Sequence, residues 1–259
     1  MRFRLKSGLS MGYSVRGAGQ PIALLHPIGL RGDFWQPVVE RLACDYRLLA
    51  IDSHGHGDSD VAAGPYSLDG IAEDCLELLR TLTGPCVVIG CSMGSAVAQS
   101  MVVKDAGMVK AAVFANGSGP RTGGRTDVLE QRAARAELGM PGVLEDTLER
   151  WFSKSFAAAH PHVVAKVADW LLAADPTVHA WAWRALAGRT DAYDKIRVPV
   201  LTIAGSEDAS ASPASVQALA DVLPNAKYVE LTGAAHMAPL EQPDAFANAV
   251  RQFLKDLGL

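Results

Sequence analysis

The sequence contains no apolar run approaching the ~20 residues that a helix needs to cross a bilayer. It has no surplus of basic charge: 24 Lys and Arg stand against 28 Asp and Glu, for a formal net charge of -4. That removes the electrostatic footprint of a nucleic-acid binder. No C-x-x-C spacing occurs among the four cysteines, Cys44, Cys75, Cys86 and Cys91. Set in apolar contexts, they read as reduced core thiols, and a cytoplasmic protein is expected. The basic residues Arg2, Arg4 and Lys6 are not followed by the apolar stretch of a secretory signal. There is no internal repeat and no low-complexity tract. What is present is 259 residues with 49% hydrophobic content, enough to bury the core of one large domain, or of one domain carrying an insertion.

Two alternating segments, 2–6 and 10–16, flank Ser7-Gly8 and read as a hairpin of edge strands. Strand-like runs follow at 21–26, 46–51, 85–91, 109–115, 199–204 and 227–231, most of them apolar enough for burial on both faces. Helical periodicity separates them at 33–43, 67–82, 212–222 and 243–257, with Ser67 as a capping residue. The alternation predicts an α/β protein: a mostly parallel sheet covered by helices on both faces. From 120 to 194 no strand candidate occurs. Apolar residues recur there at helical spacing, at 126–136, 144–156, 162–173 and 178–186. A helical cap at 120–194, inserted after the sixth strand between core segments 1–119 and 195–259, is the expectation.

The most informative stretch is Gly90-Cys91-Ser92-Met93-Gly94, a G-x-S-x-G turn between an apolar run and a small-residue helix. Such a turn holds its serine in a strained backbone conformation and leaves no room for a Cβ two positions to either side. The serine hydroxyl is thereby raised at a helix N-terminus, where an oxyanion is stabilised. Cys91 reads as a buried strand-end residue. A serine nucleophile needs a base, and the base needs an orienting acid, in the chain order Ser, acid, His. His160, His162 and His179 fall in the expected cap, whereas His236 lies in the loop after the last strand and is the candidate base. The loop after residue 204 offers Asp208, with Glu207 as alternate; Asn116, at the other usual position for the acid, cannot serve. The oxyanion donors are expected to be the backbone N–H groups of Met93 and Ile28, since Pro27 has none to give. His26 reads as structural. His54-Gly55-His56-Gly57-Asp58 has a metal-ligand flavour, but its glycines suit a tight loop better, and neither metal nor cofactor is expected.

With these residues in hand, the chain resembles an α/β-hydrolase over nearly its whole length, and within that superfamily the 3-oxoadipate enol-lactonases. The similar stretches are residues 52–59, the turn at 90–94, Glu149-Arg150-Trp151-Phe152, 196–208, and Ala234-Ala235-His236 with Glu241-Gln242-Pro243 after it. The resemblance implies an eight-stranded, mostly parallel sheet and an acyl-serine hydrolase. In that reading Ser92 attacks a lactone carbonyl, His236 moves the proton, Asp208 orients His236, and the leaving enolate becomes a ketone. His54 stands where such enzymes usually carry Arg. A small carboxylated substrate needs a cation and walls: Arg31, Arg121, Arg125, Arg184 and Arg189 are the candidate cations, and Trp151, Trp181 and Trp183 the candidate walls. A C–C or amide-bond hydrolase, a cofactor-free oxygenase or perhydrolase, and a non-catalytic receptor are the alternatives on the same fold. No nucleic-acid or membrane partner is expected, and the oligomeric state is left open.

Overall fold

The computed structural model describes residues 1–120 and 125–259. The chain opens with β1 (Arg2–Arg4) and β2 (Ser10–Arg16), an antiparallel hairpin. β3 (Gln20–Leu25) then enters the sheet centre. One helix is expected next, but a 3-10 turn at Gly32–Trp35 precedes a shorter α1 (Gln36–Leu42), in whose first turn Pro37 sits. Cys44, just beyond α1, is exposed rather than a core thiol; Cys75, Cys86 and Cys91 are buried. After β4 (Tyr46–Ile51) comes α2 (Leu68–Leu82), whose first turn is capped by Ser67 Oγ accepting from the Gly70 N–H at 3.0 Å. Its stripe Leu68, Ile71, Cys75, Leu78 and Leu79 is buried.

β5 (Cys86–Cys91), α3 (Met93–Lys104) and β6 (Val109–Ala115) form the middle of the domain. β5 is buried along its whole length. Its aliphatic side chains each contribute roughly 1.5–3 kcal/mol by leaving water. Five helices follow: α4 (Arg125–Glu137), α5 (Pro141–Trp151), α6 (Lys154–Ala159), α7 (Pro161–Ala173) and α8 (Pro176–Ala187). They make the helical insert. A single helix was expected over 144–156; the chain instead breaks at Phe152, which is extended, and restarts with Ser153 as cap of α6. The main sheet resumes with β7 (Val200–Gly205), α9 (Pro213–Val222) and β8 (Ala226–Leu231). A short α10 (Ala238–Glu241) and α11 (Pro243–Asp256) close the fold.

The eight strands lie in the order β1-β2-β4-β3-β5-β6-β7-β8. Every pairing from β4 to β8 is parallel, and β2 is antiparallel to β4. The chain runs from β3 outward to β4, then returns to place β5 on the opposite side of β3. That reversal opens a crevice beyond the carboxyl ends of β3 and β5, where ligands bind in open α/β sheets. Among the described residues no helix is long and apolar enough to cross a membrane.

Candidate active site

Ser92 stands at the tip of β5 with φ 54° and ψ -113°, a left-handed conformation that few L-residues adopt. Two glycines make the turn possible. A Cβ on Gly90 would collide with the Gly94 carbonyl and the Ser95 amide, and one on Gly94 would collide with the Leu25 carbonyl. The second contact seats the start of α3 against the end of β3, bringing the loop after β3 beside Ser92.

Three side chains from three loops meet there. Ser92 Oγ lies 2.9 Å from His236 Nε2, and His236 Nδ1 lies 2.8 Å from Asp208 Oδ2. Asp208 follows β7 and is buried, while its alternate Glu207 is exposed. Burial alone would raise the Asp208 carboxyl. The charge and hydrogen bond of His236, with the Ala211 N–H and the Asn116 amide, outweigh burial and hold it below the usual carboxylate range. Its second oxygen accepts from the N–H groups of Ser210 and Ala211 at 2.7 and 2.8 Å. The Asn116 amide donates to Asp208 Oδ2 at 3.0 Å and to the Ala235 carbonyl at 3.2 Å. The residue that cannot be the acid therefore orients it. An apolar strand ending in Asn is the only sequence signal for that role. Cys91 is wholly buried; burial, with the Asp208 charge, pushes its thiol well above the ordinary range.

The loop after β3 is pinned on both sides of Ile28. His26 Nδ1 donates to the Pro27 carbonyl at 2.7 Å, and its Nε2 accepts from the Ser53 N–H at 3.0 Å. His56 Nδ1 donates to the His54 carbonyl, and its Nε2 accepts from the Gly29 N–H at 3.1 Å. His179 of α8 packs on Gly29 from above. Burial lowers His26 to about 4, and His56 and His179 each to about 3, so all three are neutral imidazoles near neutral pH. His54 pairs with Asp74. Both ring nitrogens of His56 are thus engaged by backbone, and His54 by a carboxylate, which is how the H-x-H-x-D stretch is used. Neither the Ile28 nor the Met93 N–H has a protein acceptor among the described residues.

A cavity of about 60 Å³ opens on Ser92 and His236 beneath Trp151 and Trp183. Arg132 and Arg189 also line it, and no Asp or Glu does among the described residues. Arg132 lies over the Trp183 ring, 5.0 Å from its centroid. Arg189 is bound to the carbonyls of Ser118 and Gly119 at 3.0 and 2.9 Å. Of the other expected pocket residues, Arg184 lines a second cavity, and Trp181 and Arg31 line neither. Trp181 packs on Tyr66, Arg184 pairs with Glu130 and Glu137, and Arg31 with Asp33 and Asp58. Arg121 and the Arg125 side chain fall outside the described residues. Arg132 went unread in the sequence. Its signal is its spacing, three residues after buried Leu129 and beside Ala133 and Ala136, on the inward stripe of α4.

One carboxylate joins the insert to the loop of His236. Glu241 accepts from the Ser153 N–H and hydroxyl at 3.1 and 2.6 Å, and from the Ala235 N–H at 2.9 Å. Burial raises its pKa, against the pull of these donors. The Met237 N–H donates to the Trp151 carbonyl at 3.0 Å, at the same junction.

Residues 22–249 match the profile of the Alpha/beta hydrolase family. The chain is 26% identical over 257 residues to an (E)-2-((N-methylformamido)methylene)succinate hydrolase of Acinetobacter baylyi, covering 97% of both chains. It is 27% identical to 3-oxoadipate enol-lactonase 2 of the same organism, covering 95% of this chain and 94% of that one. The crystal structure of the enol-lactonase from Burkholderia xenovorans LB400 superposes with a TM-score of 0.92 at 29% identity, covering 98% of this chain and 100% of that one.

Proposed function

The chain belongs to the alpha/beta hydrolase family, and on that premise we propose that it hydrolyses a small carboxylated lactone or ester through an acyl-serine intermediate. The observation that carries this is the unbroken hydrogen-bond line from Ser92 through His236 to Asp208 at a left-handed turn. Ser92 Oγ attacks the substrate carbonyl carbon as its proton passes to His236 Nε2. The carbonyl oxygen takes the negative charge and is met by the N–H groups of Ile28 and Met93, at the positive end of α3. Asp208, held ionised, keeps the proton on Nδ1 and steadies the imidazolium. The C–O bond breaks as Nε2 returns the proton to the leaving oxygen. Water, deprotonated by the same nitrogen, then frees the acyl group from Ser92.

The Arg132 guanidinium in the cavity wall, where no Asp or Glu lines the space among the described residues, supports a substrate carrying a carboxylate; Arg189, also in the wall, is already paired with Asp191. The relatives' names, a succinate derivative and an oxoadipate lactone, agree with that chemistry. A second reading is hydrolysis of a C–N bond in such a substrate. It is favoured by the relative whose named substrate bears a formamido group.

The test is turnover of p-nitrophenyl acetate, small lactones, the enol-lactone derived from muconolactone, and carboxylated N-formyl enamines by the wild type and Ser92→Ala. The expected result is turnover of one or more, reduced roughly 10³-fold or more by the substitution. Activity that survives in Ser92→Ala removes the acyl-serine mechanism.

A further inference from the structure

Beyond the cavity at Ser92 lies a second one of about 260 Å³. The first, at about 60 Å³, is the smaller of the two. The second cavity sits on the seam between sheet domain and insert, between Tyr66, just before α2, and Tyr193, beyond α8. The two spaces share three wall residues: Ala96, Gln99 and Arg189. Ala96 and Gln99 lie three residues apart on α3 and so on one face of it. Ala96, one turn past Ser92, puts only a methyl group between the two spaces. Gln99 is tied to Ser95 Oγ by a bond of 3.3 Å, whereas Arg189 is fixed by two carbonyls and by Tyr193 and Asp191. Gln99 is thus the lighter partition.

We propose that this second chamber receives the acyl arm of the substrate, an aliphatic chain passing over Ala96 and beside Gln99. The proposal rests on the acyl-serine reading above. The leaving group must sit by His236, which protonates it, on the Trp151 side. The acyl group stays bonded to Ser92, and the passage to the chamber is built from the helix that begins there. Leu68, Val103, Ala185 and Ile196 give the chamber an apolar wall on which methylenes lose contact with water; Asp69, Arg184 and Arg189 also line it.

The test uses the whole protein and reads binding apart from turnover. Calorimetric titration with acetate and with octanoate is expected to show octanoate binding roughly tenfold or more tightly. Val103→Phe, at a half-buried position on the chamber wall, is expected to erase most of that preference. Gln99→Ala, which thins the partition, is expected to increase it and serves as a second variant. Equal binding of the two acids, or an octanoate preference that neither substitution changes, overturns the chamber. In parallel, the ratio of kcat/KM for p-nitrophenyl octanoate to that for the acetate should fall roughly tenfold in Val103→Phe. If neither ester is cleaved while the octanoate preference behaves as expected, the ester reading fails and the chamber stands. If both esters are cleaved at an unchanged ratio, the chamber fails and the ester reading stands.

Discussion

The floor and the roof over Ser92 are built by different means. The floor, from the sheet domain, is fixed by hydrogen bonds with little slack: Asp208 has four donors, and His26 and His56 spend all their ring nitrogens on backbone. The roof is made of rings and of cations stacked or paired near the surface. Arg132 lies on Trp183, and Arg184 pairs with Glu130 and Glu137 while a third exposed. Pairs of that kind contribute about 0–1 kcal/mol each. Roof and floor are joined by the clasp of Glu241, the Met237–Trp151 and Arg150–Ser210 hydrogen bonds, the packing of Trp181 on Tyr66, the seat of His179 on Gly29 and the anchoring of Arg189. The difference teaches a division of labour that the proposed mechanism would use: the floor to set the reaction, the roof to set what enters.

Substitutions that attack the two regions separately should therefore give different signatures. The largest effect is expected from the floor. Asp208→Asn should lower kcat by on the order of 10²–10⁴-fold with KM little changed, because an amide no longer selects the His236 tautomer. Steady-state kinetics on any turned-over ester checks this, and a change confined to KM would move Asp208 out of its assigned role. At the junction, Glu241→Gln leaves one of the three N–H or O–H donors without an acceptor and should cost about 1–3 kcal/mol, read from urea unfolding. In the roof, Arg132→Gln should raise KM for carboxylated esters by roughly tenfold and leave neutral esters of the same size unaffected. Equal losses for both kinds of ester would mean that Arg132 only packs.

The most gradual effect is a pH slope. His26, His56 and His179 are buried neutral, with pKa values lowered to about 4, 3 and 3. The unfolded chain protonates them near ~6.5. Between that pH and about 3–4 the unfolded state binds protons that the native state does not, so stability falls as the solution is acidified. Above ~6.5 these three contribute no slope. His179→Phe should remove one share of the slope, up to about 1.4 kcal/mol per pH unit, as read from Tm between pH 6.5 and 4.5. A slope identical to wild type would mean that His179 is not buried neutral.

The floor was also the more legible region. β4, α2, β6 and α9 fall where hydrophobic runs and caps put them, because buried parallel strands admit little but aliphatic residues. Ser92, Asp208 and His236 were readable from a turn motif and two loop positions, since the topology fixes which strand ends meet. The roof was harder. Ser153 is the one local mark of the break between α5 and α6, and a lone Ser inside a helical pattern is a weak one; its partner Glu241 is 88 residues away. Arg132 sits on the apolar stripe of α4 with Leu129, Ala133 and Ala136, but a charge at such a spacing reads as solvated until the ring beneath it is seen. Cys44 looked like a core thiol in an apolar neighbourhood, yet it lies on the turn where α1 ends and the chain surfaces. Asn116 was dismissed as a failed acid because its value lies in donating, which only the assembled site reveals.

The twist of the main chain at position 92 has a bearing on descent. At φ 54° a β-branched residue is a steric outlier, so threonine is shut out of this position, and with it a secondary-alcohol counterpart of the proposed nucleophile. Cysteine, unbranched and nearly the same shape, is not. Any lineage that exchanges the attacking atom on this scaffold has sulfur within reach, and a secondary alcohol only after the elbow itself is rebuilt.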